Sequence, residues 1–133
     1  MAVVSSESIP VVSEPDIVLV RRRVRETAAT IGLSLVDQTR VVTAASELAR
    51  NTLIYGGGGS VQLESLNGPR LGIRLTFQDN GPGIPDVDLA LRDGFTTGTG
   101  LGLGLGGTKR LVSEFEIQSK VGEGTKVVIT RWK

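Results

Sequence analysis

The chain contains no cysteine and no histidine. Without thiols there is no disulfide, no thiolate nucleophile and no cysteine-held zinc. Without imidazole it lacks the commonest general base, the usual pH switch and most transition-metal sites. Aromatic residues are scarce as well: three Phe, one Tyr and one Trp, too few for a nucleic-acid stacking platform. Charge of either sign is not in excess. Fifteen basic against fourteen acidic residues leave a net +1, which gives no long-range field for nucleic acid or membrane. No apolar run approaches the roughly 18 residues of a spanning helix. The start "MAVVSSESIPVVSEPD" has no basic stretch leading into an apolar core, so it does not read as a signal peptide. The expected location is the cytoplasm, with neither nucleic acid nor membrane as partner.

Glycine, by contrast, is abundant. It supplies 18 of 133 residues, roughly twice the usual fraction, and much of the excess lies between Gly81 and Gly107. Glycine costs backbone entropy on folding, so such a cluster marks either disorder or a place where a ligand needs bare backbone. An apolar content of 39% and a charged content of 22% are ordinary for a globular protein and argue against disorder. The length fits a single domain over residues 1–133.

"IPVV" (9–12) reads as a short first strand. Ser13 is a candidate N-cap with Asp16 at the reciprocal position. Ile17, Val20, Val24, Thr27, Ala28 and Ile31 then recur at helical spacing until Gly32. Arg21, Arg22, Arg23 and Arg25 make the one dense basic patch, either a solvated helix face or a docking surface. Ser34 caps a second helix, with Asp37 reciprocal, that runs over 35–55 and closes at "GGGG" (56–59). "SVQLESL" (60–66) and "RLGIRLTFQD" (70–79) alternate as strands around the turn signal "NGP". Residues 85–92 form at most one helical turn. "GGTKRLVSEF" is predicted as a helix of two to three turns, followed by a hairpin of "FEIQSK" and "TKVVITRW". Helices and hairpins in separate blocks predict an α+β two-layer sandwich: a mixed, mostly antiparallel sheet covered on one face by helices.

Three short stretches carry chemistry. "GLGLGG" (102–107) formally satisfies G-x-G-x-x-G, but it follows a loop and lacks the βαβ context of a dinucleotide fold. Lys109 does not complete a P-loop either. What survives is the physics of bare N–H groups at the start of a helix near Gly104, which attract phosphate, with Thr96, Thr97 and Thr99 nearby in sequence. The bland alternative is a tight turn. In "TFQDNGPGI", Asp79 ends a strand beside glycines and has the chemistry to accept from the exocyclic amine of a purine; taken alone, Asp-Asn-Gly is simply a turn. In "ELARN", Glu47 and Asn51 stand four apart on one helix face. Asn51 offers an oxygen to a hard cation and Glu47 a base for an attacking hydroxyl, although such a pair alone is usually a solvated surface.

Together the stretches resemble the GHKL ATPase and kinase superfamily. "ELARN" is similar to its N box, "DNGPGI" to its G1 box, "GTGLGLG" to its G2 box and "GEGT" (122–125) to its last adenine-side motif. The resemblance spans about residues 9–131 and implies the two-layer ATP-binding fold known as the Bergerat type. Large transducer domains and a phospho-accepting histidine are both lacking. The chain therefore resembles the small anti-sigma-factor type of protein serine/threonine kinase, above all the switch kinase of the bacterial stressosome.

That resemblance implies ATP and Mg²⁺ as cofactors and phosphoryl transfer to STAS-domain scaffold or antagonist proteins. It also implies release of the kinase to activate a partner protein phosphatase. By position, Glu47 would be the general base and Asn51 the Mg²⁺ ligand. Asp79 and Thr125 would read the adenine, and Gly81 and Gly83 would admit the ring. Thr97, Gly98, Gly100, Leu101, Gly102, Leu103 and Gly104 would hold the phosphates, with 84–99 as a lid. The rival readings are an anti-sigma factor kinase that sequesters a sigma factor directly, and an ATP-binding docking regulator with little turnover.

Overall fold

The computed structural model describes residues 2–91 and 104–133. Nine elements follow in the order β1 (Ala2–Val11), α1 (Glu14–Thr30), α2 (Leu35–Ile54), β2 (Gly59–Asn67), β3 (Gly72–Asp79), α3 (Val87–Ala90), α4 (Leu105–Arg110), β4 (Glu114–Lys120) and β5 (Gly124–Trp132). The five strands form one sheet in the order β1-β2-β3-β5-β4. Every pairing among the described residues is antiparallel, so the sheet contains no parallel pair there.

Alternation of side chains across the strands creates two unlike faces. Val61 lies opposite Phe77, and Leu63 opposite Leu75; Leu75 and Phe77 lie opposite Ile129 and Val127. These residues are buried against Val20, Val24, Leu48 and Leu105 of the helices, which gives two layers around one core. The other face carries Glu64 opposite Arg74. Their bidentate pair, with bonds of 2.9 and 3.2 Å, holds the Arg74 guanidinium above its ordinary pKa, chiefly through the hydrogen bond to Glu64.

The caps set the helices. The Asp16 carboxylate accepts from the backbone N–H groups of Val12 (2.9 Å) and Ser13 (3.1 Å) and so fixes the entry to α1. The Val12 bond, followed by the Ser13 contacts and opposed by desolvation, holds the Asp16 pKa below its ordinary value. At α2 the Ser34 hydroxyl accepts from the Asp37 N–H at 3.1 Å. The expected reciprocal contact is replaced: the Asp37 carboxylate takes Arg131 of β5 at 2.8 Å and Arg40 at 3.2 Å. Ala44, Ala45 and Ala49 are fully buried and let α2 approach the sheet closely. No helix among the described residues is long and apolar enough to cross a membrane.

Two boundaries differ from the sequence reading. β1 starts at Ala2 rather than at Ile9. Its first residues are exposed on an edge, so they need no alternating pattern, and backbone pairing from Ala2 opposite Asn67 onward holds them. α4 ends at Arg110 rather than at Phe115, because Ser113 N–H donates to Thr130 C=O at 2.9 Å and Phe115 pairs with Ile129. The ladder to β5 satisfies backbone groups that another helical turn would leave to water.

Candidate functional site

A cleft opens between the C-terminal half of α2 and the ends of β3 and β5. Leu48, Phe77, Leu105 and Val127 give it an apolar floor, while Asn51, Asp79 and Thr125 stand at its polar side. Its chemistry suits a flat ring with a few fixed hydrogen-bonding groups.

α2 brings Glu47 and Asn51 to this region one turn apart. Leu48 between them is buried at 1% exposure and anchors that face. Asn51 is half-buried and lines the cleft; its backbone carbonyl accepts the Tyr55 and Gly56 N–H groups at 3.0 Å each as the helix ends. Glu47 is exposed. A Cβ built on Gly104 would lie 3.3 Å from Glu47 Oε2, so the carboxylate reaches the start of α4. Gly104 itself has φ +66°, a left-handed conformation that favours glycine, and its carbonyl accepts from the Thr108 N–H and hydroxyl at 2.9 and 2.8 Å.

β3 delivers Asp79 at its last position. Oδ1 accepts from the Gly81 N–H at 2.9 Å and the Thr125 N–H at 3.3 Å. These donors orient the carboxylate, and Oδ2 has no hydrogen-bond partner among the described residues. Thr125 lies directly opposite Asp79 in the β3–β5 register. The loop after β3 is tied to the final hairpin: Gly122 N–H donates to Pro82 C=O at 2.9 Å, and Ile84 N–H donates to Ser119 Oγ at 2.7 Å.

Of the residues singled out in the sequence, Asn51, Asp79, Gly83 and Thr125 line the cleft. Gly81 supports Asp79, while Glu47 and Gly104 meet at the cleft's α4 end. Thr97, Gly98, Gly100, Leu101, Gly102 and Leu103 lie outside the described residues. Sequence reasoning missed Gly56 and Ser119. Gly56 served there only as a helix stop, yet a Cβ on it would fall 2.4 Å from Asp79 Cγ. Ser119 pairs across the hairpin with Thr125, a partnership obtained by counting back through the "VGEG" turn.

Residues 36–133 match the family profile described as histidine kinase-, DNA gyrase B-, and HSP90-like ATPase. The chain belongs to that family. It is 43% identical over 123 residues to the serine/threonine-protein kinase RsbT of Bacillus subtilis, covering 92% of both chains. It is also 30% identical over 105 residues to an anti-sigma F factor of Clostridium kluyveri, covering 74% of this chain and 72% of that one. Among solved structures it resembles the RsbU and RsbW domains of a Mycobacterium tuberculosis protein, with TM-score 0.63 and 22% identity over 96% of this chain and 32% of that one. The catalytic domain of the histidine kinase ThkA matches with TM-score 0.56 and 18% identity over 100% and 97% of the two chains. At those identities the structural matches speak for the fold, and the fold is the one that the sequence motifs imply.

Proposed function

We propose that the chain is an ATP-dependent serine/threonine protein kinase of the RsbT type. In this reading it works in the cytoplasm, phosphorylates STAS-domain scaffold or antagonist proteins, and then binds and activates a partner phosphatase. The observation that carries the proposal is the gathering of Asn51, Asp79 and Thr125 around one apolar cleft, with Glu47 a helical turn away, in a chain 43% identical to a serine/threonine kinase.

Asp79 Oδ2 would accept from the adenine amine, and Thr125 would bond the ring beside it. Gly81 and Gly83 keep side chains away from this edge, and the glycine run from Gly98 to Gly104, with Thr97, would take the phosphates. The residues present also fit a Mg²⁺ ion. No cluster of three acids exists among the described residues, and Mg²⁺ commonly takes one or two protein oxygens and completes its shell with phosphates and water. Asn51 would be the protein ligand. When bound, the ion would supply charge neutralisation for the γ-phosphoryl group. The substrate serine or threonine oxygen forms the new P–O bond, ADP departs with the bridging oxygen, and Glu47 accepts the hydroxyl proton.

The same fold would serve an anti-sigma factor holding a sigma factor directly. The 43% identity to RsbT against 30% to the anti-sigma F factor favours the kinase-switch reading. Incubation with Mg·ATP and STAS-domain proteins from the same genome, read by intact mass, tests it. A phosphate-sized increment on a STAS protein is the expected result. Recovery of a sigma factor in a pull-down, with no STAS protein modified, would reverse the choice.

A further inference from the structure

Ser119 lies on β4, outside every motif discussed above, yet its hydroxyl joins the two loops that frame the cleft. It accepts from the Ile84 N–H at 2.7 Å, meets Thr125 Oγ1 at 2.8 Å and faces the Gly124 carbonyl at 3.2 Å. Thr125 in turn donates its N–H to Asp79 Oδ1 at 3.3 Å. One half-buried hydroxyl therefore closes a chain from the loop after β3, through the hairpin, back to the end of β3. The backbones around it are in close contact. A Cβ on Gly83 would fall 2.4 Å from the Lys120 carbonyl oxygen, and one on Gly124 would fall 2.2 Å from the Asp79 carbonyl oxygen.

We propose that Ser119 is a positioning residue for the purine end of the cleft, setting the direction of the Thr125 hydroxyl and the seat of the Ile84 segment. The inference rests on the nucleotide reading of that cleft. A serine hydroxyl has one proton and two lone pairs, and the Ile84 N–H occupies one lone pair. When Ser119 donates to Gly124 C=O, the Thr125 proton points at Ser119. When Ser119 donates to Thr125, the Thr125 proton is released toward the cleft, where an acceptor nitrogen of adenine takes it. Guanine offers a carbonyl where adenine has its amine, and so opposes the Asp79 carboxylate. Ser119 thus bears on discrimination between purines as well as on affinity.

The test titrates the whole chain with Mg·ADP and Mg·GDP by calorimetry for the parent, Ser119→Ala, Ser119→Thr and Ser113→Ala. Ser113 is the control, because its hydroxyl accepts one β-strand N–H, from Trp132 at 3.0 Å, and takes no part in lining the cleft. Ser119→Ala is expected to lose ADP affinity by roughly tenfold, the size of one positioning hydrogen bond, and to narrow the ADP/GDP ratio. It should also speed amide exchange at Ile84 without nucleotide. Ser119→Thr should restore both. An unchanged ratio and affinity in Ser119→Ala, or an equal loss in Ser113→Ala, overturns the assignment while leaving the nucleotide site standing. A parent chain that binds neither nucleotide overturns both.

Discussion

Substituting alanine for Gly56 puts the reading of the cleft under direct strain. The added methyl would sit 2.4 Å from Asp79 Cγ and 2.6 Å from its Cβ and Oδ2, about 1 Å inside ordinary carbon contact. Gly56 is not among the glycines with positive φ, so the backbone tolerates alanine and the whole cost falls on Asp79. That side chain must turn away and give up its bonds from Gly81 (2.9 Å) and Thr125 (3.3 Å). If Asp79 accepts the purine amine, the loss of that one charged hydrogen bond is about 1.5–3 kcal/mol, or roughly 10- to 150-fold in affinity. Overpacking adds about 1–3 kcal/mol of instability, visible as a lower thermal midpoint without nucleotide. Calorimetric titration with Mg·ADP measures the first effect. Gly57→Ala is the control, since Gly57 has φ +74° with nothing within 4 Å. It should show backbone strain of about 1–2 kcal/mol and unchanged affinity. If Gly56→Ala binds ADP as tightly as the parent, Asp79 does not read the ring and the reasoning fails.

Three further outcomes are expected. Glu47→Gln should bind ATP normally while phosphoryl transfer falls by about 10²- to 10⁴-fold, the usual span of general-base catalysis; radiolabel transfer beside nucleotide titration separates the two. Asp37→Asn should destabilise the fold by about 1–3 kcal/mol, because Arg131, with a side chain 19% exposed, loses its charged partner at 2.8 Å; chemical denaturation reads this, and no change would mean that a neutral amide oxygen and water suffice for Arg131 at that end of α2. Asp16 has a folded pKa below its unfolded value, so its contribution is complete above the ordinary aspartate range and is lost as pH falls through the folded value. Thermal midpoints of the parent and Asp16→Asn should therefore differ near neutrality and converge in acid.

The helices were legible because their signals are local. Ser13 with Asp16 and Ser34 before Asp37 mark the starts of α1 and α2, and Val20, Val24, Val41 and Leu48 repeat at helical spacing along buried faces. β2 and β3 were legible through alternation. The first half of β1 was not, since an edge strand exposed on both faces leaves no period in its composition; what holds it is backbone pairing with β2. α4 was overextended because "TKRLVSEF" suits a helix well enough in isolation. Only the Ser113 and Phe115 partners on β5 decide for the strand.

The site divides along the same line. Asn51 and Asp79 could be found because each belongs to a short string whose chemistry is visible without neighbours, and Thr125 came through the resemblance of "GEGT" to a family motif. Gly56 acts only through Asp79, far along the chain, and Ser119 through its hairpin partner Thr125 together with the Ile84 N–H on a distant loop. The glycine excess also gains a second cause. A Cβ on Gly81 would strike Gly56 Cα at 2.7 Å, and those on Gly83 and Gly124 would strike carbonyl oxygens at 2.4 and 2.2 Å. These positions exclude side chains through packing of protein on protein, before any ring enters. Close packing of three loops holds Asp79 and Thr125 in register, and a carboxylate fixed that way pays less ordering entropy on binding than one on a free loop. Bare backbone at this end of the cleft is therefore first a means of rigidity, and access for a ligand follows from it.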